Sequence, residues 1–347
     1  MRLLIGTYTR GFEAEGLYTA EAGADGTGFR VLAVAREIDN PSWQITHPSL
    51  PLSYSVSEIG DEGAGGISAF SIGGDGRLDQ VCSVSSMGED PCHLALAGDR
   101  LFASNYSGGN LATWSLDAAG QPADLDNLIQ HNGSSVDPMR QKGPHVHSAT
   151  LHAPSDSMFV CDLGVDRIFR YRIAGGSLDV ASRQTIQLRP GAGPRMMCVE
   201  PNGRYAFVIN ELDNTIVSFD LEAGPRAVEL ATVGTVPADY VDASYCAHIA
   251  VSGDGRFLYA SNRGHDSIAV FALGDNGNLV PVQHVASGGE HPRFFALTPD
   301  ERFLWAANRD SDNLVVFQRD RASGRLTPTG TVIDMPAPAC VTWLRGP

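Results

Sequence analysis

The amino-acid sequence predicts an all-β fold, a seven-bladed β-propeller closed by pairing of the N- and C-terminal strands in one blade. Two repeated patterns predict this fold, because a turn followed by an apolar strand occurs seven times and a strand hairpin also occurs seven times. The third observation is the composition. The 347 residues include 38 Gly and 20 Pro, which is typical of many short strands joined by tight turns.

The first pattern, here called the turn–strand motif, is a turn that often contains proline, followed by an apolar strand. Its copies begin roughly 46 to 53 residues apart, which is the period of a propeller blade. The seven copies are NPSWQITH from Asn40, DPCHLAL from Asp90, GPHVHSATL from Gly143, GPRMMCVE from Gly193, YCAHIAV from Tyr245, HPRFFAL from His291 and APACVTWL from Ala337.

The second pattern is a hairpin of two apolar or alternating strands with Asn, Asp or Gly at the corner, as expected for a sheet. The clearest copies are GRYAFVINELDNTIVSFDL, GRFLYASNRGHDSIAVFAL and ERFLWAANRDSDNLVVFQR. Weaker copies precede these in the chain, and the first is LLIGTYTRGFEAEGLYTAEA.

The two ends of the chain complete each other. The last turn–strand motif, which ends at Leu344, has no hairpin after it, and the first hairpin, from Leu3, has no motif before it. Both ends therefore build one blade, which closes the ring and removes exposed strand edges. A sandwich of two sheets would accommodate the strands but not the period. We expect residues 1–347 to form a single domain, with Gln121–Gly143 as a loop over one face.

The charge of the chain limits its partners. The formal net charge is −15 at pH 7, which argues against a nucleic acid or an anionic membrane as a partner. Lys142 is the only lysine, so nearly all cations are arginines. Arginine suits the planar, bidentate recognition of a carboxylate or phosphate, although a GC-rich coding genome also produces such a bias.

Cysteine usage and the N-terminus predict a cytoplasmic protein. The six cysteines are scattered without a CxxC or zinc spacing, as expected for buried thiols in a reducing compartment. The N-terminal apolar run is too short for the core of a signal peptide, and no run has the length of a membrane span. No metal or cofactor is predicted.

The turn–strand motifs supply the candidate residues of a central channel, because the innermost strand of each blade lines it. Histidines and arginines that converge from different blades require a solvated or anionic cavity. His145 and His147 alternate along a strand, so only one of them is expected to face the channel. The candidates are His93, His145, His147, Arg195, His248, His291 and Arg293.

A second group of polar residues lies where the following strands end. The Asn and Asp members are explained as formers of hairpin corners. Glu211 and Arg263 are not, because each places a charge where a strand leaves the core. The corner residues are Asn105, Asp162, Asn210, Asn262 and Asn308, with Arg309 following the last.

These motifs resemble the seven-bladed propeller lactonase family, which includes the bacterial propeller-type 6-phosphogluconolactonase and the fungal 3-carboxy-cis,cis-muconate lactonizing enzyme. The likeness extends from IGTYTRG to ACVTWL and is most specific at the His-Ser, Gly-Pro-Arg, Asn-Glu-Leu and Ser-Asn-Arg steps. It implies a catalytic site of His147, Arg195, Glu211 and Arg263. Lactonase members similar to this chain usually have His where this chain has Met196, which bears on the substrate.

The resemblance implies hydrolysis of a sugar-acid lactone, 6-phosphogluconolactone or a related aldonolactone. Arg195 and Arg263 would bind an anionic group and stabilise the oxyanion, while His147 would move the proton. Glu211 would act either as a base on water or as a holder of an arginine. We also expect His93, His248 and Arg293 to bind substrate.

Two alternatives remain at this stage. The same four catalytic residues would serve a cycloisomerase that closes a muconate-type diacid to a lactone. The chain would otherwise be a propeller scaffold without catalysis, because a fold alone does not establish function.

Overall fold

The seven predicted blades are present. The computed structural model describes residues 1–60, 65–223 and 227–344, and within these ranges it contains 28 strands in seven four-stranded antiparallel sheets. One edge strand of each sheet contacts the corresponding strands of its neighbours, so these seven strands surround the axis of the propeller. The prediction that residues 1–347 form a single domain stays a prediction, and its last three residues lie outside the described residues.

The innermost strands are the strands of the turn–strand motifs. Blades 1 to 7 have as innermost strands β4 (Gln44–Thr46), β8 (Pro91–Ala97), β12 (Val146–His152), β16 (Pro194–Val199), β20 (Tyr245–Val251), β24 (Pro292–Leu297) and β28 (Pro338–Trp343). The second strands of blades 1 to 7 are β5 (Leu52–Ser57), β9 (Arg100–Asn105), β13 (Ser157–Asp162), β17 (Tyr205–Asn210), β21 (Phe257–Arg263), β25 (Phe303–Asn308) and β1 (Arg2–Thr7).

The outer half of each blade completes the sheet. The third strands of blades 1 to 7 are β6 (Gly66–Ile72), β10 (Asn110–Leu116), β14 (Arg167–Ala174), β18 (Thr215–Asp220), β22 (Ser267–Leu273), β26 (Asn313–Arg319) and β2 (Leu17–Glu21). The outermost are β7 (Leu78–Ser85), β11 (Pro122–Gln130), β15 (Ser177–Gln187), β19 (Val228–Gly234), β23 (Leu279–Ala286), β27 (Leu326–Asp334) and β3 (Arg30–Ala35). Two single-turn 3-10 helices, Ala153–Ser155 and Leu163–Val165, flank β13. In the described residues no helix has the length and the apolar character that crossing a membrane requires.

Burial between blades explains why the second strands are apolar throughout. In β17 every residue is buried, because each face of a blade packs on the neighbouring blade. Among the described residues, the buried apolar side chains form seven clusters, one between each pair of neighbouring blades. The cores are therefore distributed around the ring, and each blade depends on both of its neighbours.

Blade 7 joins the two ends of the chain, as predicted. Strand β28 pairs antiparallel with β1, with Leu3 opposite Trp343 and Ile5 opposite Val341. The side chain of Gln44, buried in blade 1, donates to the Cys340 carbonyl oxygen at 3.0 Å. Ring closure thus rests on backbone pairing inside blade 7 and on a buried hydrogen bond to blade 1.

The corner residues have the structural role that was expected for Asn. Each of four Asn side chains at the end of a second strand donates a hydrogen bond to the side chain five residues later, across the hairpin. Such local bonds favour a tight corner over continued strand. The pairs are Asn105 with Asn110, Asn210 with Thr215, Asn262 with Ser267 and Asn308 with Asn313.

Two expectations about local structure were wrong. The segment Gln121–Gly143 is not one loop, because its first half is the outermost strand β11. That strand has little apolar pattern, since one of its faces meets solvent. His145 and His147 do not alternate along one strand, because His145 precedes β12 and a β-bulge interrupts the alternation at His147, although only His147 of the two lines the cavity at the axis, as expected. Both imidazole rings lie against the ring of Tyr106, at centroid distances of 4.3 and 5.3 Å.

Gly6→Ala is predicted to destabilise the closed ring. A Cβ at Gly6 would overlap the Pro41 carbonyl oxygen and the Gln44 side chain, which belong to blade 1. We expect the free energy of unfolding in urea to fall by about 1–3 kcal/mol. Gly74→Ala is the control, because a Cβ there meets no atom within 4 Å, and we expect a change within about 0.5 kcal/mol. Equal stabilities of the two variants would contradict the account of closure.

Candidate active site

A β-bulge at the start of the innermost strands turns particular side chains towards the axis. In β12 the register skips from Val146 to Ser148, so His147 is the extra residue. The same interruption leaves Arg195 as the extra residue in β16 and Arg293 in β24. Bulges often re-aim a side chain next to an active site.

The residue after the turn of each turn–strand motif therefore defines a set that we call the inner ring. Its members in blades 1 to 7 are Ser42, Cys92, His147, Arg195, Ala247, Arg293 and Ala339. Six of these seven line a single cavity, together with Trp43, Met196 and Phe294. The space offered to a water-sized sphere is about 10 Å³, room for about one water molecule.

A second set, the rim ring, lies at the end of the second strands and at the same end of the propeller. Its members in blades 1 to 7 are Glu58, Tyr106, Leu163, Glu211, Arg263, Arg309 and Tyr8. The two rings lie at the same end because the first and second strands of a blade are antiparallel. Glu211 and Arg263 were selected from the sequence, and Glu58, Tyr106 and Tyr8 were missed. The feature of the sequence that could have revealed these three missed residues is their position, one residue beyond the end of a second strand.

Glu211 connects the four residues that were predicted to be catalytic. Its carboxylate accepts hydrogen bonds from Arg195 Nε at 3.0 Å and pairs with Arg263 Nη2 at 2.9 Å. The His147 Nε2 atom lies 3.8 Å from the same carboxylate oxygen, Oε2. The structure thus brings together His147, Arg195, Glu211 and Arg263 in one group.

Arg140 is a further member of this group that the sequence did not reveal. Its Nη2 atom donates to Glu211 Oε1 at 2.6 Å and to the Tyr106 hydroxyl at 3.0 Å. Its guanidinium also lies 5.9 Å from the centroid of the Tyr245 ring. Arg140 belongs to the loop between β11 and β12, and its side chain is 35% exposed, more than any other partner of Glu211. It is therefore the member best able to move when a ligand enters.

The electrostatics of the group keep Glu211 ionised. Burial alone would raise the pKa of its carboxyl, but Arg263, Arg195 and the other cations hold it well below the ordinary value. Burial lowers the pKa of Arg195 to about 10, with the nearby Arg263 and Arg293 adding to the effect. Arg195 stays protonated near neutral pH, so Glu211 is a fixed anion among cations.

His147 is held in its neutral form. Burial, followed by the charge of Arg195, lowers the pKa of its imidazole well below the ordinary value, and Glu211 only partly opposes this. Its Nδ1 atom lies 3.5 Å from the Cys92 sulfur. A neutral imidazole can accept a proton, which an imidazolium cannot.

Arg293 lies in the same cavity and has its own anion. Its Nη2 atom pairs with Glu58 at 3.2 Å, and its guanidinium lies 4.9 Å from the centroid of the Tyr8 ring. The Tyr8 hydroxyl donates to Glu58 at 2.7 Å, and the Ser42 hydroxyl donates to the same oxygen. Two arginines that line the cavity are therefore each paired with a glutamate, Arg195 with Glu211 and Arg293 with Glu58.

His93 and His248 lie one residue beyond the inner ring and do not line the cavity. The His93 ring packs on Trp43 at 4.4 Å and the His248 ring packs on Phe294 at 3.9 Å, as centroid distances. Trp43 and Phe294 in turn form part of the cavity wall. The two histidines thus support the aromatic floor, and direct contact between them and a substrate stays a prediction.

The loop of Arg140 and the strand of Arg195 are fixed by one carboxylate. Asp166 is fully buried and lies at the corner between β13 and β14. It accepts hydrogen bonds from Ser135 and Gln141, in the loop of Arg140. It also accepts from the backbone N–H groups of Gly191 and Gly193, just before Arg195, both at 2.7 Å.

Among the described residues, no group of three or more His, Cys, Asp or Glu side chains is placed to hold a metal ion.

Comparisons with known proteins agree with this architecture. The family described as "Lactonase, 7-bladed beta-propeller" matches residues 2–343. The 6-phosphogluconolactonase of Bacillus subtilis is 33% identical over 348 residues, which cover 98% of this chain and 97% of that protein. The 6-phosphogluconolactonase of Formosa agariphila is 31% identical, with 93% of this chain and 94% of that protein covered. The structure of the periplasmic gluconolactonase of Pseudomonas aeruginosa has a TM-score of 0.93 and 32% identity, with 100% of this chain and 99% of that chain covered.

The buried histidines predict a loss of stability in acid. Burial lowers the pKa of His93 to about 3 and puts those of His147 and His248 well below the ordinary value. Below the ordinary pKa of about 6.5 the unfolded chain binds protons that the folded chain does not, so the free energy of unfolding falls with falling pH. Well below pH 6.5, each such histidine lowers the free energy of unfolding by about 1.4 kcal/mol for every unit by which the pH falls.

Urea unfolding between pH 7.5 and 5 measures this slope. His248→Phe keeps the aromatic packing and removes one titrating group, so we expect a shallower slope than in the parent protein. Identical slopes for the two proteins would contradict the assignment of a neutral, buried His248.

Asp166→Asn is predicted to impair catalysis by displacing Arg140 and Arg195. The amide NH₂ group of Asn would face the Gly191 N–H donor, so the loop of Arg140 and the strand of Arg195 would no longer be held together. Asp312→Asn is the matched control, since Asp312 lies at the equivalent corner of blade 6 and accepts from Ala337 N–H before the innermost strand of blade 7, and these blades carry neither Arg140 nor Arg195. We expect both variants to lose about 1–3 kcal/mol of stability. Only Asp166→Asn should lower kcat/KM for a lactone, by ~10-fold or more, when measured where both are folded. If the Asp166→Asn and Asp312→Asn variants have equal kcat/KM values, the role of Asp166 is only structural.

Proposed function

Because the chain belongs to the seven-bladed β-propeller lactonase family, we propose that it hydrolyses 6-phosphogluconolactone or a related aldonolactone in the cavity that the inner ring lines. The observation that carries the proposal is a neutral His147 placed beside a Glu211 carboxylate that binds three arginines. Lactone hydrolysis requires a proton acceptor for water and a positive site for the developing oxyanion. This group offers both.

The proposed reaction has two steps. The imidazole of His147 takes a proton from water while the water oxygen attacks the lactone carbonyl carbon, and the negative charge moves to the carbonyl oxygen. Arg195 stabilises that oxyanion through its guanidinium. The bond from the carbonyl carbon to the ring oxygen then breaks, and the imidazolium of His147 returns its proton to that oxygen. The product is a hydroxy acid, and His147 is neutral again.

Glu211 is proposed as a positioning residue and not as the base. Arginines occupy both of its carboxylate oxygens, Arg140 at Oε1 and Arg195 and Arg263 at Oε2, so neither oxygen is placed to take a proton from water. Its proposed role is to hold the guanidinium groups of Arg195 and Arg263 in the orientation that binds the substrate. Arg293 is proposed to bind substrate from the opposite wall.

The partner we propose is a small anionic lactone, and the compartment we propose is the cytoplasm. The six cysteines are all unpaired and four of them are buried, which is typical of a reducing compartment. The Pseudomonas relative is named as periplasmic, so cell fractionation of the native chain is the direct measurement of this point. We also propose that residues 1–347 act as one domain.

His147→Gln is predicted to abolish most of the activity. We expect kcat for glucono-δ-lactone or its 6-phosphate to fall by ~10²-fold or more, because the side chain no longer accepts the proton of water. KM should change little, since Gln keeps the polarity of the site. His47→Gln, in the turn between β4 and β5, is the control and should retain full activity.

Acid release followed with a pH indicator, after subtraction of spontaneous hydrolysis, measures both variants. A His147→Gln variant that is folded and as active as the parent protein would contradict the assignment. Absence of activity on both lactones in the parent protein would contradict the proposed function itself.

A further inference from the structure

We propose that two residues of blade 2, Cys92 and Tyr106, position His147 so that its Nδ1 atom carries the ring proton and its Nε2 atom is free to take a proton from water. This inference rests on the proposed function, because it names the residues that orient the proposed base. His147 itself belongs to blade 3, so the orientation of the base depends on packing between two neighbouring blades.

The Cys92 side chain reaches His147 because Cys92 is the extra residue of the bulge in β8, and both residues line the cavity. The Cys92 sulfur lies 3.5 Å from His147 Nδ1 and 3.4 Å from the carbonyl oxygen of the same residue. The carbonyl oxygens of Ser104 and Val146 lie at 3.8 and 3.9 Å from the sulfur. The thiol is therefore surrounded by three carbonyl oxygens and one imidazole nitrogen.

This surrounding determines which nitrogen of His147 is protonated. A thiol has one proton to donate, and a carbonyl oxygen can only accept. The S–H group of Cys92 therefore points to the carbonyl oxygens, and the sulfur accepts a hydrogen bond from Nδ1–H. The opposite arrangement, with S–H donating to Nδ1, would leave all three carbonyl oxygens facing sulfur lone pairs. A neutral imidazole has one N–H group, so Nε2 keeps its lone pair.

Cys92 is a positioning residue and not a nucleophile. Burial, followed by the charge of Glu58, raises the pKa of its thiol. Burial, followed by the charge of Arg195, lowers the pKa of the His147 imidazole. The proton therefore stays on the sulfur, and the pair does not become a thiolate beside an imidazolium. A buried, protonated thiol is inert towards a carbonyl carbon.

The contact with Cys92 opposes the tautomer that could not act as a base at Nε2. The Nε2 atom lies 3.8 Å from Glu211 Oε2, which is longer than a hydrogen bond. Within the described ranges, the His147 ring therefore makes one hydrogen bond, through Nδ1. The Glu211 carboxylate attracts a proton to Nε2, so loss of the Cys92 contact would favour the wrong tautomer.

Tyr106 restrains the same imidazole. Its ring meets the His147 ring edge-on, at 75° and a centroid distance of 5.3 Å. Tyr106 is itself held at both ends, because it stacks on His145 at 4.3 Å and its hydroxyl accepts a hydrogen bond from Arg140 at 3.0 Å. The His145 Nδ1 atom also donates to the Tyr106 carbonyl oxygen at 2.9 Å. A fixed Tyr106 ring limits rotation of the imidazole away from Cys92.

Nitrogen-15 NMR of the unliganded protein near neutral pH tests the tautomer directly, and His147→Gln identifies the His147 signals by their loss. We expect a protonated Nδ1 and a bare Nε2 in the parent protein. Cys92→Ala should shift the tautomer ratio towards a protonated Nε2 by ~5-fold or more, which is the loss of one hydrogen bond. Cys92→Ser keeps a donor and an acceptor and should keep the parent tautomer.

The parent spectrum alone decides the proposal if Cys92→Ala does not fold, because a protonated Nε2 there would overturn it. An unchanged tautomer ratio in a folded Cys92→Ala variant would overturn it as well. Tyr106→Ala should shift the ratio in the same direction, whereas Tyr106→Phe, which keeps the ring, should not. Equal spectra of these two Tyr106 variants would overturn the role of Tyr106.

Kinetics on glucono-δ-lactone give a second readout. Cys92→Ala should lower kcat by ~5-fold or more and leave KM within ~2-fold, because only molecules with a bare Nε2 turn over. Cys92→Ser should retain most of the parent kcat. Cys340→Ala is the matched control, since it removes a buried thiol of β28 that contacts Thr342, and it should change neither value. Equal losses of kcat in Cys92→Ala and Cys92→Ser, or in Cys92→Ala and Cys340→Ala, would overturn the proposal.

Failure of this inference and failure of the proposed function are distinguishable. A bare Nε2 that depends on Cys92, in a protein that hydrolyses neither lactone, would support the positioning of His147 and contradict the proposed function. Hydrolysis by a protein whose Nε2 is protonated at rest would support the proposed function and overturn the inference.

Discussion

The one-residue bulge at the start of the innermost strands determines which side chains reach the axis of this propeller. In blades 3, 4 and 6 the extra residue of the bulge is His147, Arg195 and Arg293, and all three line the cavity. The bulge thus allows one strand to meet two structural requirements. Its apolar residues pack between blades, while the extra residue is free to be polar. Ring closure through β28 and β1 then brings residues from distant parts of the chain into one cavity.

Burying so many cations near an axis requires internal anions. Glu211 meets this requirement for the arginines of blades 4 and 5, and Glu58 meets it for Arg293. The same pairing occupies both carboxylate oxygens of Glu211, which is why we propose His147 and not Glu211 as the proton acceptor. The two rings contain more arginines than glutamates, so the anionic substrate that we propose would meet a locally positive site in a chain of net charge −15.

The repeats made the fold predictable. Seven repeats of one blade period, in a chain whose two ends each supply part of one blade, fit a closed seven-bladed propeller and not a sandwich of two sheets. Glu211 and three of the residues around it, His147, Arg195 and Arg263, were also predicted, through the family resemblance. Arg140 was not predicted, because it lies in the loop between β11 and β12, and the repeated sequence patterns do not extend into this loop. Glu58 and Tyr8 were recognisable only by alignment with Glu211 at the ends of second strands. His93 and His248 were selected because the sequence does not distinguish a histidine that lines the cavity from one that lies behind its wall. The register shifts in blades 2 and 5 place the preceding residues, Cys92 and Ala247, in the inner ring.

A crystal structure with bound 6-phosphogluconate is the most direct measurement of the central claim that the bulged residues form one anion-binding catalytic site. The account predicts the product carboxylate within hydrogen-bond distance of Arg195 and beside His147, with the rest of the ligand towards Arg293. A ligand bound at another face of the propeller, or innermost strands that run without the bulge and turn His147 away from Glu211, would contradict it.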